Sequence, residues 1–388
     1  VEEIEFEGPS TVVVIRVVTD YFPTGPSKTG GDRPTDEAES DDGCGAHLYL
    51  RVAVGAGGRW GPVRHELGHG SAPTLNRMKR VFVTGAASWT GGRLIAQLDH
   101  RDDVSVFAVD DAPPRVDFRS EFVQMDLDRL SLARYVLQVE PDIVVHLQSV
   151  DRRTKEGRST EGEDRIVGAL ALFGAIERVG TVRSVVVKSD TAVYGSNPRN
   201  PSVMTEQTRS RGRRSRYQRD LAEMERFVDE LSLRMPDVTF TTLRFAPVFG
   251  PRVRNPISRY LTLPVVPTLM GFDPRLQFTD ERDAVAVVEH TIDHPVSGTF
   301  NVAGSGQMYL SRLLRLGRRA PQPMPGRVFD AALGTLRRAG LVIPDHVVGL
   351  LKHGRVVDTT AMRSELGFAP AHSCRQTVIN AFHPEGSR

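Results

Sequence analysis

Val81 to Leu94 reads VFVTGAASWTGGRL. An apolar, β-rich run leads into Gly85, small residues follow, and the chain becomes helix-compatible near Gly91. A strand that enters a glycine turn and opens a helix leaves the first helical N–H groups unpaired. The positive end of the helix dipole faces the same way, which suits a pyrophosphate. Gly85 permits the tight turn, and Gly91 lets the helix pack closely on the strand. Ser88 stands where such loops usually carry a second glycine, and its hydroxyl is available to donate a hydrogen bond. Asp110 ends the next β-rich run, 19 residues after Gly91. That is close to the spacing of about 20 residues expected of an acid that binds the adenosine ribose hydroxyls. Asp111 adds a second negative charge, and both would repel a 2′-phosphate. The pattern therefore predicts NAD rather than NADP, contacted by Gly85, Ala87, Ser88, Trp89, Thr90, Gly91 and Asp110.

Further along, β-rich runs recur at 142–147, 184–189, 238–245 and 298–303. Helix-compatible stretches lie between most of the runs, at 91–98, 130–139, 164–179, 217–233 and 284–292. Buried strands alternating with helices imply βαβ units, right-handed crossovers and a doubly wound parallel sheet, an α/β fold. Residues 251–388 are less regular and read as a smaller substrate-side lobe, with some strands returning to the sheet. The division expected is 1–77, 78–250 and 251–388.

Residues 1–77 differ in character. They carry 12 acidic against 7 basic side chains and are rich in glycine and proline. One strand-like run, TVVVIRVVT from Thr11, stands out. Few apolar residues offset the entropy of ordering the rest, so the stretch is expected to be largely disordered. Met78 is the first methionine and directly precedes the fold signal, so the stretch reads as an extension outside the native start. His65-Glu66-Leu67-Gly68-His69 spells HExxH, but Gly61, Pro62, Gly68 and Gly70 disfavour the helix that zinc ligation would need. No metal is expected.

The 388 residues are 39% hydrophobic and 25% charged, with a net charge of +2. No run of 18 apolar residues occurs, and nothing in the charge points to nucleic acid or membrane as a partner. Two cysteines, Cys44 and Cys374, make no disulfide framework, so a reducing, cytoplasmic setting is the default. The chain holds only five lysines against 45 arginines. Any role that requires a lysine has few candidates.

Several segments, in order, resemble one family. TGAASWTG from Thr84 is similar to its TGxxGxxG loop. Met125-Asp126-Leu127-Asp128 resembles a DLxD element beside the adenine, and DIVVHL from Asp142 resembles DVVFHLAA. DTAVYG from Asp190 resembles SSxxVYG, and Leu243 through Pro251 resembles LRxxNxxGP. The family is the extended short-chain dehydrogenases/reductases, within them the NAD-dependent epimerase/dehydratase family of nucleotide-sugar enzymes. The resemblance implies a Rossmann sheet, NAD as cofactor, a nucleotide-sugar as small-molecule substrate and a homodimer. It adds Asp126, Leu127 and Gln148 to the cofactor contacts.

The same resemblance implies a catalytic tyrosine with a lysine four residues later, and a serine or threonine after the strand that ends near Ser189. The i, i+4 spacing puts tyrosine and lysine on one helix face. The lysine lowers the phenol from its ordinary pKa of about 10, so that a phenolate takes the substrate proton. Here the pair is Tyr217 and Leu221, Asp190 holds the serine position, Thr191 follows it, and Pro247 replaces the substrate-side asparagine. Leu221, Met224, Val228 and Leu231 fall at helical spacing, so Tyr217 is either catalytic or the end of a core stripe. Asp190 either acts on a hydroxyl or caps the strand end, and Lys188 is either a solvated or paired strand residue or the missing charge. Arg209 through Arg219 include six arginines, read as a solvated loop or a diphosphate clamp. Arg252, Arg254 and Arg275 are further candidates for the diphosphate.

Two function classes follow. One is an NAD-dependent epimerase or dehydratase in which Tyr217, Asp190 and Thr191 manage the hydroxyl proton. The other is a catalytically silent dinucleotide-binding regulatory or structural protein, because leucine replaces the lysine.

Overall fold

The computed structural model describes residues 2–8, 11–17, 52–54, 78–125, 129–148, 161–210 and 215–384. Two units are distinguished, Val1–Leu75 and Asn76–Arg388. In the first, β1 (Glu2–Gly8) and β2 (Thr11–Val17) pair as an antiparallel hairpin, and β3 (Val52–Val54) joins β2. β2 falls on the apolar run from Thr11. The HExxH segment lies outside the described residues, as does Cys44.

The second unit begins with β4 (Lys79–Thr84), α1 (Trp89–Leu98), β5 (Val104–Asp110), β6 (Glu121–Gln124), α2 (Arg129–Val139) and β7 (Ile143–His146). It continues through α3 (Glu161–Val179), β8 (Ser184–Asp190), α4 (Arg216–Arg234) and β9 (Thr239–Phe245). Then come β10 (Val248–Phe249), α5 (Pro256–Leu261), β11 (Val265–Leu269), β12 (Arg275–Leu276), β13 (Thr279–Asp280), α6 (Glu281–Asp293) and β14 (Gly298–Val302). The chain ends with β15 (Met308–Tyr309), α7 (Leu310–Leu316), β16 (Ala320–Met324), α8 (Gly326–Arg338), α9 (Asp345–His353), α10 (Thr360–Ser364) and α11 (Cys374–Phe382).

Seven strands form one sheet in the order β14-β9-β8-β7-β4-β5-β6, with every pair parallel. The order reverses between β4 and β7, and the crevice at the carboxyl ends of these strands is where open α/β sheets bind ligands. The alternation of side chains sorts two cores. Phe82, Val144, Val185 and Val187 face α2, α3 and α4, whereas Val81, Val83, Val145 and Leu243 face α1 and α6. α6 and β14 lie beyond residue 250 yet complete the main sheet and its second face. Most of the rest of 251–384 builds a third core around Tyr260, Phe278, Leu313 and Phe329, while Val357 packs in the first core and Met362, Leu366 and Phe368 in the second.

Buried polar links hold this lobe to the sheet. Glu225 on α4 accepts two bonds from Arg244 on β9, at 2.9 and 2.8 Å, and a third from Ser189 on β8 at 2.5 Å. Arg244 also donates to the Tyr194 hydroxyl at 2.8 Å, and Tyr194 donates to Asn301 on β14 at 2.7 Å. The Asn301 amide donates to the backbone carbonyl of Asp358 at 3.1 Å. The motif arginine after Leu243 therefore acts as an internal tie.

Arg101, in the loop after α1, donates to both oxygens of Asp103 (3.0 and 2.8 Å) and of Asp293 at the end of α6 (2.8 and 2.8 Å). These bonds, ahead of burial, hold both carboxyl groups below the usual carboxylate range. A carboxylate depressed in the folded state stabilises it above the unfolded pKa of about 4, and the benefit is lost as pH falls through the folded value. The side chains are part-exposed, so the expected size is about 1 kcal/mol. Arg101→Ala should lower urea-unfolding stability by that amount at pH 7. The gap to the natural protein should close as pH is taken from 5 towards 2; a constant gap would contradict the assignment.

Candidate active site at the sheet's carboxyl edge

β4 ends in Thr84, and Gly85 turns the chain at a φ of 83°. A Cβ on Gly85 would lie 2.6 Å from the backbone of Leu147, so the turn rests directly on the end of β7. A Cβ on Gly91 would lie 2.2 Å from the Gly85 carbonyl oxygen. Both glycines thus do what the sequence pattern requires. Ser88 caps α1, its hydroxyl accepting from the Gly91 amide at 3.0 Å. The bond that Ser88 donates goes inward, to the Gly85 carbonyl at 2.7 Å, so the hydroxyl tightens the loop itself.

The remaining amides divide clearly. Ala87 donates to Asp110 Oδ2 at 2.8 Å, and Asp111 donates to Asp110 Oδ1 at 2.8 Å. Asp110 is buried, and it braces the glycine loop from β5, its Oδ1 also accepting from the Ala112 amide at 3.4 Å. The amides of Trp89 and Thr90, the first two of α1, have no acceptor among the described residues. Gln148, just past β7 and buried, has no partner for its Nε2 among the described residues. Two free amides at a helix N-terminus, a floor with no room for a Cβ, a braced carboxylate and an orphan amide donor fit a dinucleotide. Arg252 is brought to this loop, 5.4 Å over the Trp89 ring and paired with Glu281 at 3.5 Å. Asp126 and Leu127 lie outside the described residues.

Two strands along, β8 ends in Asp190. Its Oδ1 accepts from the Ala192 amide at 2.6 Å and caps the short turn Thr191–Tyr194. Its Oδ2 accepts from the Tyr217 hydroxyl at 3.3 Å. Asp190 therefore caps the turn after β8 and accepts from the tyrosine hydroxyl at the same time. Thr191 is buried beside it, and its hydroxyl has no partner among the described residues. Tyr217 lies in the first turn of α4, after a capping box between Ser215 and Gln218. Leu221 is 2% exposed and packs with Met224, Val228 and Leu231. The lysine's place is core.

The C-terminal lobe supplies two groups that the sequence did not reveal. His346, on α9, stacks on the Tyr217 ring with centroids 4.2 Å apart and planes at 30°. Arg355 places Nη2 3.6 Å from Asp190 Oδ1. Burial pushes His346 down to about 4, so the imidazole is neutral near pH 7. His146, at the end of β7, shares a 2.8 Å hydrogen bond with Thr84 and is likewise pushed down to about 4 by burial. Lys188 is half-buried near the end of β8: burial lowers its pKa, and the Asp190 charge opposes that. Arg275 donates to the Ser202 carbonyl, while Arg254 is exposed. Arg211, Arg213 and Arg214 lie outside the described residues.

Comparison with known proteins agrees with this geometry. An uncharacterized protein of Mycobacterium tuberculosis is 38% identical over 315 residues, 78% of this chain and 82% of its own. Among solved structures, MoeE5 in complex with UDP-glucuronic acid and NAD is similar at a TM-score of 0.62 and 22% identity. The match covers 78% of this chain and 97% of MoeE5. The UDP-glucose 4-epimerase of Thermotoga maritima with UDP-glucose is similar at 0.61 and 18%, with the same coverages. At such identities the two structures speak for the fold. Residues 81–303 match the sequence pattern of the NAD dependent epimerase/dehydratase family, and the chain belongs to that family.

Proposed function

We propose that the protein oxidises a hydroxyl-bearing carbon of a nucleotide-linked sugar, as a step of epimerisation or dehydration. The observation that carries this reading is the Tyr217 hydroxyl, 3.3 Å from Asp190 at the carboxyl end of the sheet. When bound, NAD supplies the hydride acceptor. The Trp89 and Thr90 amides would hold its pyrophosphate, Asp110 a ribose hydroxyl, and Gln148 Nε2 an acceptor group. Tyr217 Oη donates to Asp190 and would take the proton of the substrate hydroxyl. As a sugar hydroxyl gives its proton to Tyr217 Oη, the tyrosine's own proton passes to Asp190 Oδ2. The pair ends neutral, and the sugar oxygen becomes a carbonyl. In this route the proton acceptor is the Tyr217–Asp190 pair, and no lysine at position 221 takes part. A homodimer through the flanking helices belongs to the same reading.

The silent-binder reading draws on Leu221, whose burial removes the usual lysine. Calorimetric titration with NAD and NADP, followed by a screen of UDP- and dTDP-sugars for cofactor reduction, separates the two. NAD should bind at least ~10-fold more tightly than NADP, since Asp110 and Asp111 meet a 2′-phosphate with like charge. Turnover with a nucleotide-sugar supports the enzyme. Tight NAD binding without turnover supports the silent binder, and no binding of either dinucleotide sinks both.

A further inference from the structure

We propose that Arg355, carried in by the C-terminal lobe, is the fixed positive charge of the Tyr217–Asp190 pair, taking over the task that a lysine at position 221 would perform. The use made of that charge rests on the function proposed above.

Arg355 is 5% exposed, and its Nε and Nη1 have no hydrogen-bond partner among the described residues. Its one ion-pair partner among them is Asp190, at 3.6 Å. The backbone that carries the guanidinium is tied on both sides. The Arg355 amide donates to the Arg275 carbonyl at 3.0 Å, and the Val357 amide to Gln277 Oε1 at 2.9 Å. Val356 and Asp358 bond to the backbone of Met204 at 2.9 and 2.8 Å. Gly354, at a φ of 72°, makes the turn that lets this segment pass; a Cβ there would lie 2.6 Å from the Arg275 carbonyl oxygen.

A buried cation with unsatisfied donors is a poor way to stabilise a fold. It is an effective way to hold negative charge nearby. Burial disfavours the charge on Arg355, and Asp190, Tyr217 and Tyr194 favour it. A guanidinium held 3.6 Å from the Asp190 carboxylate attracts the negative charge that the pair carries. Among the described residues, the other charged or titratable groups on the elements that carry the pair or pack against it include Lys188 on β8, Tyr194 in the turn that Asp190 caps, Arg216 and Asp220 on α4, and Asp345 and His346 on α9. Arg216 is paired with Asp220 at 3.8 Å, and among the described residues Arg355 is the cation in an ion pair with Asp190.

The test reads the tyrosine itself. The ultraviolet signal of tyrosinate is titrated in the natural chain and, as the baseline, in Tyr217→Phe. Arg355→Met should raise the ionisation of Tyr217 by about one pH unit or more, while Arg355→Lys keeps it near its natural position. Adding Leu221→Lys to Arg355→Met should bring it back. A purely structural Arg355 would not be rescued by a lysine on a different helix. If Arg355→Met does not fold, Arg355→Gln is measured in the same way. An unmoved Tyr217, or no rescue by Leu221→Lys, overturns the proposal. Failure of the natural chain to bind NAD would instead overturn the proposed function, and the titration would still read Arg355.

Discussion

Gly91→Ala should lower the affinity for NAD by about 100-fold or more and destabilise the fold by roughly 2–4 kcal/mol. The added Cβ would lie 2.2 Å from the Gly85 carbonyl oxygen and 2.9 Å from its carbon. Those are backbone atoms, and the turn that carries them rests in turn on Leu147, so nothing near can yield cheaply. α1 must tilt away from β4. That moves the free amides of Trp89 and Thr90 and loosens Leu94, Ile95 and Leu98, all fully buried. Gly174→Ala on α3 is the matched control. A Cβ there meets nothing within 4 Å, so it should be neutral or stabilise by about 0.5–1 kcal/mol. Calorimetry and urea unfolding of both variants check the pair. Equal behaviour would mean that the glycine loop does not set the cofactor site.

The second large effect is on the chemistry. Asp190→Asn keeps the shape of the side chain and an oxygen for the Ala192 amide, yet removes the charge that receives the Tyr217 proton. With a nucleotide-sugar that is turned over, kcat should fall by about 10²–10⁴-fold while the affinity for NAD changes little. Tyr217→Phe should do the same. The double variant should be hardly worse than either single one, because the two residues act as one unit. Multiplicative losses would show that Asp190 and Tyr217 work separately.

Much of this was legible because the determining signals are local. The run of β4, glycine turn, α1 and β5 announces itself through periodicity and Gly85, and six strands of the sheet fall within a residue or two of the sequence reading. β6 was missed: four residues on the sheet's edge, none of them buried, carry almost no pattern. The helices of 310–382 were blurred by scattered proline and arginine. In the site, Asp190 and Tyr217 were reached through family motifs, not through any property of their own neighbourhoods. Their contact spans 27 residues and depends on how α4 lies against β8. Arg355 and His346 were invisible, because what makes them matter is a chain reversal at Gly354 and the packing of α9. A buried arginine in an apolar run, GRVV, was the one trace. Ser88 shows the reverse case: its position was read correctly, but its donor was spent inside the loop.

A crystal structure of the protein grown with NAD is the most direct test. The account places diphosphate oxygens on the amides of Trp89 and Thr90, with a ribose hydroxyl at Asp110. A coenzyme seated elsewhere, or those two amides left without it at saturating concentration, would contradict the account at its root.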